Sequence, residues 1–101
     1  MMIATIWRFR VNADAVEAFE RIYGPHGDWA QLFASAAGYA GTELLRLDGE
    51  ERIYLTIDRW HSADDYKKAK VVLATDYAAL DRRCEAYTSE ETWLGLHSVL
   101  A

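Results

Sequence analysis

The sequence has too few cysteines for a disulfide-bonded protein and none of the long apolar runs that anchor proteins in membranes. Cys84 is the only cysteine, which excludes an internal disulfide and a thiolate metal cluster and is typical of a reducing compartment. No apolar run approaches the ~20 residues that span a bilayer. Residues 1–11 alternate in polarity, unlike the unbroken apolar run of a signal peptide. We therefore expect a cytoplasmic protein without a membrane partner.

Positive charge is also scarce. The chain carries 11 Lys and Arg residues against 16 Asp and Glu residues, which gives a formal net charge of −5. A nucleic-acid binder needs a basic stripe that displaces counterions from phosphates. The densest basic segment, Lys67, Lys68 and Lys70, follows directly after Asp64 and Asp65, an arrangement typical of a solvated helix face. Neither a nucleic acid nor an anionic membrane is expected as a partner.

Proline occurs once, in the segment Gly24-Pro25-His26-Gly27, and the six glycines are scattered and form no phosphate-binding loop. No linker, internal repeat or low-complexity segment divides the chain, so a single domain over residues 1–101 is expected. The three histidines, His26, His61 and His97, lack a metal-ligand spacing such as H-x-x-x-H. The sequence therefore predicts no metal site.

Apolar residues make up 51% of the chain and aromatic residues 13%, which is enough for one core with rings left over for a pocket or an interface. Helical spacing predicts one helix that ends at Tyr23, a short one that Asp28 caps and that stops at Gly38, and a longer one that begins after Ser62 and bends near residues 70–75. Alternating polarity predicts four strands, over residues 3–11, 39–47, 51–60 and 91–99.

Two local patterns support these helices. Asp14 with Glu17, and Ser62 with Asp65, have the spacing of capping boxes at helix starts. One apolar stripe advances by four, three, four and three residues along the last helix, through Leu73, Tyr77, Leu80, Cys84 and Tyr87. The resulting β-α-β-β-α-β order predicts an α+β, ferredoxin-like domain, in which an antiparallel four-stranded sheet carries its helices on one face.

The sheet face without helices is predicted to pair with a second copy of the chain. We assign to it one face of the first strand (Ala4, Ile6, Arg8 and Arg10) and one face of the third (Tyr54, Thr56, Asp58 and Trp60). Both sets mix apolar bulk with charge, which suits a two-fold interface with internal ion pairs. Such pairs would join Arg8 or Arg10 to Asp58 or Glu43. The alternative is a face covered by water.

Four segments resemble the antibiotic biosynthesis monooxygenase (ABM) superfamily of dimeric α+β barrels. They cover most of the chain in the right order, as YGPHGDWAQLF, GYAGTELLR, IYLTIDRWHSADDY and YAALDRRCEAYTSEETWLG. The resemblance implies a dimeric α+β barrel with a pocket between helices and sheet. Members of this superfamily that use no cofactor oxidise electron-rich aromatic substrates such as quinols and anthrones, and the deprotonated substrate reduces O₂. The resemblance therefore implies a monooxygenase-like protein for a small aromatic substrate.

Five residues are candidates for that pocket. Trp7 and Trp29 are predicted to bind the ring of the ligand. His26 is the candidate general base because histidine titrates near neutral pH. Tyr66 and Tyr77 are candidate catalytic donors to a developing oxyanion. Packing in the core is the alternative role for the tryptophans and tyrosines, and solvent exposure for His26.

Two other functions remain open. One is a dimeric protein of the same fold that binds a small ligand, or serves in stress, without catalysis. The other is haem binding, but the haem-degrading branch of the superfamily has an Asn in the first strand and a Trp and a His in the second helix. This chain has Trp7 at the first position, and residues 62–86 contain neither Trp nor His, which disfavours haem degradation of that type.

Overall fold

A computed structural model describes residues 1–100 and confirms the predicted order of elements. A short 3₁₀ turn precedes the first helix, and another precedes the last strand. The four strands are β1 (Ile3–Val11), β2 (Tyr39–Arg46), β3 (Ile53–Trp60) and β4 (Thr88–Ser98). The four helices are α1 (Val16–Tyr23), α2 (Asp28–Ala34), α3 (Ala63–Val72) and α4 (Ala74–Cys84). None of the helices within residues 1–100 has the length and apolar character needed to cross a membrane.

The strands form one antiparallel sheet in the order β2-β3-β1-β4. The helices pack on one of its faces, as the predicted ferredoxin-like fold requires. Phe9 and Val11 of β1 meet Phe19 of α1 and Cys84 of α4 in the larger hydrophobic cluster. Burying each large apolar side chain stabilises the fold by about 1.5–3 kcal/mol, so the sheet and helices depend on this shared layer.

The predicted stripe on the last helix is confirmed. Leu73, Leu80 and Cys84 are buried, and Tyr77 and Tyr87 pack against the larger cluster. The predicted bend is also present, because Leu73 has φ −95° and ψ 8° and separates α3 from α4.

The helix starts are only partly as predicted. Ser62 caps α3, and its Oγ accepts a hydrogen bond from the Asp65 backbone N–H at 3.1 Å. The Asp14–Glu17 capping box does not form, because a 3₁₀ turn occupies Ala13–Ala15 and α1 has no side-chain cap. Asp28 lies inside the first turn of α2 and forms an ion pair with Arg83 at 3.2 Å.

The predicted orientation of β3 is wrong. Strand pairing sets Tyr54 opposite Phe9 and Asp58 opposite Thr5, so these side chains face the helices with the rest of their set. The bare face instead carries the other side of β3 beside Ala4, Ile6, Arg8 and Arg10, namely Ile53, Leu55, Ile57 and Arg59.

The same pairing rules out the predicted ion pairs between the β1 arginines and Asp58. Arg8 and Arg10 lie on the bare face, whereas Asp58 lies on the helix face. Glu43 does lie on the bare face, where it forms an ion pair with Arg59 of the same chain, and Arg10 contacts Glu90 at 3.4 Å. A pair between Glu43 and an arginine of a second copy stays a prediction.

Candidate active site

A cavity of about 300 Å³ lies between the sheet and the helices. This volume is at the lower end of the ~300–1,000 Å³ range of ligand pockets, which suits a small ligand. Six aromatic side chains line it, namely Trp7, Phe9, Tyr23, Trp29, Phe33 and Tyr77. The polar lining consists of Thr42, Thr56, Asp58, Lys70, Asp81 and Glu91.

The aromatic walls come from both layers of the fold. Trp7 and Phe9 project from β1, where period-two alternation puts both on the helix face. Trp29 of α2 meets Tyr77 of α4 edge to face, with ring centroids 4.9 Å apart. Phe33 lies one helical turn beyond Trp29, at 5.8 Å between centroids. Flat faces on two sides of a narrow space suit an aromatic ligand.

Asp58 is the only acidic residue of β3, and its side chain enters the cavity from the sheet. The residue is 8% exposed, and the Thr42 hydroxyl donates a hydrogen bond of 2.5 Å to Oδ1. Burial disfavours the charged carboxylate and raises the pKa of Asp58 to about 6, although the hydrogen bond from Thr42 opposes that shift. A buried carboxyl group that titrates near neutral pH in an aromatic cavity is a candidate general base.

Two tyrosines line a small hollow together with Asp58, namely Tyr66 and Tyr77. Burial raises the pKa of Tyr77 to about 12, and negative charge on Asp81 adds to the effect. Burial also raises the pKa of Tyr66, with a further contribution from Asp58. Both phenols therefore keep their protons at neutral pH and remain hydrogen-bond donors.

The other charged groups of the cavity come from three elements. Lys70 of α3 is exposed, and its Nζ lies 4.1 Å from the centre of the Tyr77 ring, within reach of a cation–π interaction. Asp81 of α4 and Glu91 of β4 are exposed acidic members of the lining. The charged groups of the cavity therefore include more acids than bases, which favours a neutral ligand over an anionic one.

The structure brings most of the predicted site residues together. Trp7, Trp29 and Tyr77 all line the cavity. Tyr66 lies in a hollow of about 20 Å³ that shares Trp7 and Tyr77 with it. His26 is exposed in the turn between α1 and α2 and does not line the cavity. Only its backbone is engaged by a hydrogen bond within residues 1–100, since its carbonyl accepts one of 3.0 Å from Gln31 Nε2.

Asp58 is the functional candidate that the sequence did not yield, because alternation alone left its strand face assigned to the bare side of the sheet. One signal could have revealed it. Asp58 is the lone carboxylate in the alternating set that ends with Trp60, directly before the Ser62 cap leads the chain into α3. A lone carboxylate in a set that otherwise contains Tyr, Thr and Trp is a candidate for a buried functional group.

No protein-family model matches the chain, and no curated protein matches it. Solved structures do. A single-residue variant of SnoaB, a cofactor-independent oxygenase from Streptomyces nogalater, is 23% identical with a TM-score of 0.76, over 97% of this chain and 92% of that one. A protein from Bordetella bronchiseptica assigned to the antibiotic biosynthesis monooxygenases is 18% identical with a TM-score of 0.75, over 99% and 98%.

A third similar structure is a single-residue variant of MhuD, which holds two manganese protoporphyrin IX molecules per active site. It is 21% identical with a TM-score of 0.70, over 98% of this chain and 95% of that one. The overlap spans nearly the whole length in all three cases. The α+β fold that the resemblance implied for the single chain is therefore confirmed, whereas a shared fold does not establish a shared activity.

Proposed function

We propose that this chain is an oxygenase that deprotonates a small, electron-rich aromatic substrate, of the quinol or anthrone type, and lets the resulting anion react with O₂ without a cofactor. The observation that carries the proposal is Asp58, a buried carboxyl group with a pKa of about 6 in the wall of an aromatic cavity. The shared fold with SnoaB, a cofactor-independent oxygenase, supports the reaction class.

Proton removal needs a base that is ionised at working pH and still holds a proton well. With a pKa of about 6, Asp58 is mostly ionised at pH 7, yet it is a stronger base than an exposed aspartate. The energy that burial costs the carboxylate is recovered when it takes the proton of the substrate. Asp58 therefore replaces His26, which lies outside the cavity lining, as the proposed base.

The anion that forms needs hydrogen-bond donors. Tyr77 lines the cavity as a neutral phenol, because its pKa is raised to about 12, and Tyr66 lies beside it. Donors placed in advance where charge develops lower the barrier. The two tyrosines therefore keep the proposed role of stabilising the oxyanion.

For a substrate of the anthrone type, the chemistry balances with O₂ as the only co-substrate. At a methylene carbon between aromatic rings, Asp58 takes one proton and the carbanion passes one electron to O₂. The two radicals join in a new C–O bond, and Asp58 returns its proton to the peroxide. Loss of water then leaves a carbonyl group. Oxidation of CH₂ to C=O supplies the four electrons that reduce O₂ to one oxo group and one water, so no other reductant is required.

The bare sheet face is proposed to bind a second copy of the chain. Ile6 and Ile57 lie opposite each other at its centre, next to Arg8 and Leu55. A sheet face with paired isoleucines and a neighbouring leucine exposes apolar area that a two-fold partner would remove from water. The cavity lies on the other face, so the dimer would leave its lining unchanged.

Oxygen uptake with a panel of hydroquinones and anthrones tests the oxygenase proposal. Wild type should consume O₂ with at least one member, and Asp58→Asn should reduce the rate without loss of fold or of ligand binding. Asp76→Asn makes the same chemical change at an exposed carboxylate of α4 and serves as the matched control. Ligand binding without uptake across the whole panel would contradict the proposal and favour a non-catalytic binding protein.

A further inference from the structure

A bulge in β2 places two hydroxyl groups on the same side of the sheet. Tyr39 and Thr42 are three residues apart, so a regular strand would point them to opposite faces. The register shifts between Tyr39 and Gly41, with Tyr39 opposite Trp60 and Thr42 opposite Asp58. Ala40 is the extra residue, and Gly41 has φ +122°, a conformation that suits glycine. Both hydroxyls consequently face the helix side.

These hydroxyls form a chain that ends on the carboxyl group of Asp58. The Tyr39 and Thr42 oxygens are 2.5 Å apart, and Thr42 Oγ1 donates to Asp58 Oδ1, also at 2.5 Å. An ionised carboxylate can only accept, and Thr42 has one hydrogen to give. Whenever Asp58 is ionised, Tyr39 must therefore be the donor to Thr42.

The chain occupies one carboxylate oxygen and leaves the other free. Within residues 1–100, Asp58 Oδ1 accepts the Thr42 hydrogen bond and Oδ2 accepts none. Asp58 nevertheless lines the cavity. A carboxylate held at one oxygen has little freedom to rotate, so its free oxygen keeps one orientation relative to a ligand.

We infer that Thr42 and Tyr39 are positioning residues for the proposed base: they anchor Oδ1 of Asp58, direct Oδ2 toward the substrate and favour the ionised form of the carboxyl group. The inference rests on the proposed function for its catalytic meaning, but the effect on the carboxyl group exists without turnover. Tyr39 acts through Thr42, because a hydroxyl that accepts a hydrogen bond becomes a stronger donor.

Other groups also face Asp58 and have to stay constant in a test. Tyr66 of α3 and Tyr77 of α4 both respond to its charge, and their raised pKa values keep them neutral near pH 6. Lys70 of α3 shares the cavity and makes no ion pair with Asp58 within the described residues. Asp81 and Glu91 complete the charged lining. None of these groups is changed by substitutions in β2.

A titration of side-chain carboxyl carbons by NMR in ¹³C-labelled protein tests the inference directly, with Asp58→Asn used to identify the Asp58 signal. In wild type the Asp58 carboxyl carbon should titrate with a midpoint near pH 6. Thr42→Val should raise that midpoint by about one unit, because the carboxylate loses its hydrogen bond. Thr42→Ser should restore the wild-type midpoint, and Tyr39→Phe should raise it by a smaller amount.

Midpoints in Thr42→Val and Tyr39→Phe that equal the wild-type value would overturn the inference. Tyr39→Phe removes only an oxygen, so it remains informative should Thr42→Val fail to fold. Oxygen uptake separates the two proposals. If the midpoints shift but neither wild type nor any variant consumes O₂, the positioning role is supported and the oxygenase is refuted. If O₂ is consumed but the midpoints do not shift, the oxygenase is supported and the positioning role is refuted. If both the shift and O₂ uptake are observed, the acid limb of kcat/KM should move in the same direction as the Asp58 midpoint.

Discussion

Phe19 and Tyr23 stack on each other one turn apart in α1, with ring centroids 4.1 Å apart and planes inclined by 17°. Phe19 is fully buried and also contacts Phe9 and Tyr54 of the sheet, at 5.4 and 5.0 Å between centroids. Tyr23 lines the cavity. Phe19 therefore packs behind the cavity wall, and it contributes both to the hydrophobic core and to the support of the site.

Phe19→Ala should lower the free energy of unfolding by about 3–5 kcal/mol, because the ring leaves a cavity that the sheet cannot fill. Denaturant unfolding followed by circular dichroism measures the change. Val71→Ala is the matched control, since Val71 is 77% exposed and its truncation should change stability by about 0.5 kcal/mol or less. Equal effects of the two substitutions would contradict the assigned packing.

The bare sheet face yields a second prediction. Ile57→Asp should shift a dimer to monomers in sedimentation at micromolar concentration, because an unpaired carboxylate would be buried in the interface. Val72→Asp, at a position 77% exposed on α3, should leave the oligomeric state unchanged. A wild-type protein that sediments as a monomer would refute the proposed dimer regardless of the variants.

Much of the fold could be predicted because its signals are local. The capping pair Ser62 and Asp65, the helical stripe through Leu73 and Cys84, and the alternation in β1 each depend on near neighbours. The orientation of β3 could not be predicted in the same way. Period-two alternation defines two faces but does not say which one meets the helices.

The candidate site could be predicted in its walls but not in its base. Trp7, Trp29 and Tyr77 could be predicted as wall residues because large aromatic residues in a small domain tend to line a pocket. Asp58 escaped prediction because a carboxylate in the same alternating set as Trp60 resembles an interface pattern, and its orientation follows from strand pairing opposite Thr5. Histidine as a residue type favours His26 as a base, but the residue type carries no information about where the side chain lies relative to the cavity.

The pH dependence of turnover follows from Asp58. For wild type, kcat/KM for O₂ uptake should fall below about pH 6, since protonation of Asp58, whose pKa is about 6, removes the base. Asp58→Asn should lower kcat/KM by roughly 10²–10⁴-fold, the usual contribution of a general base. A wild-type acid limb that persists unchanged in Asp58→Asn would show that another group titrates.

His26 offers a separate test, because its residue type and its place in the structure predict different results. As the base it would be essential, but the exposed side chain lies outside the cavity lining. We expect His26→Ala to retain wild-type kcat/KM and the same acid limb in the uptake assay. A loss of more than about tenfold, the equivalent of ~1.4 kcal/mol in the barrier, would restore the original prediction for His26.

Asp58 should also destabilise the fold above pH 6, and the sign follows from its raised pKa. The folded value is about 6 and the unfolded reference is 3.8, so between these values the native state binds more protons than the unfolded state. Stability therefore falls as pH rises through the window from about 4 to 6, by about 3 kcal/mol for a shift of this size. Above pH 6 the full penalty is present.

Asp58→Asn removes that penalty, because the amide stays neutral while its oxygen can still accept the hydrogen bond from Thr42. The variant should gain stability relative to wild type between pH 4 and pH 6, and at pH 8 it should be the more stable protein, by up to about 3 kcal/mol. Denaturant unfolding at pH 4, 6 and 8 gives this difference, with Asp76→Asn as the control for the same chemical change at an exposed carboxylate. If the Asp58→Asn difference did not change with pH, Asp58 would not be a desolvated acid, and its activity as a base near neutral pH would lose its physical cause.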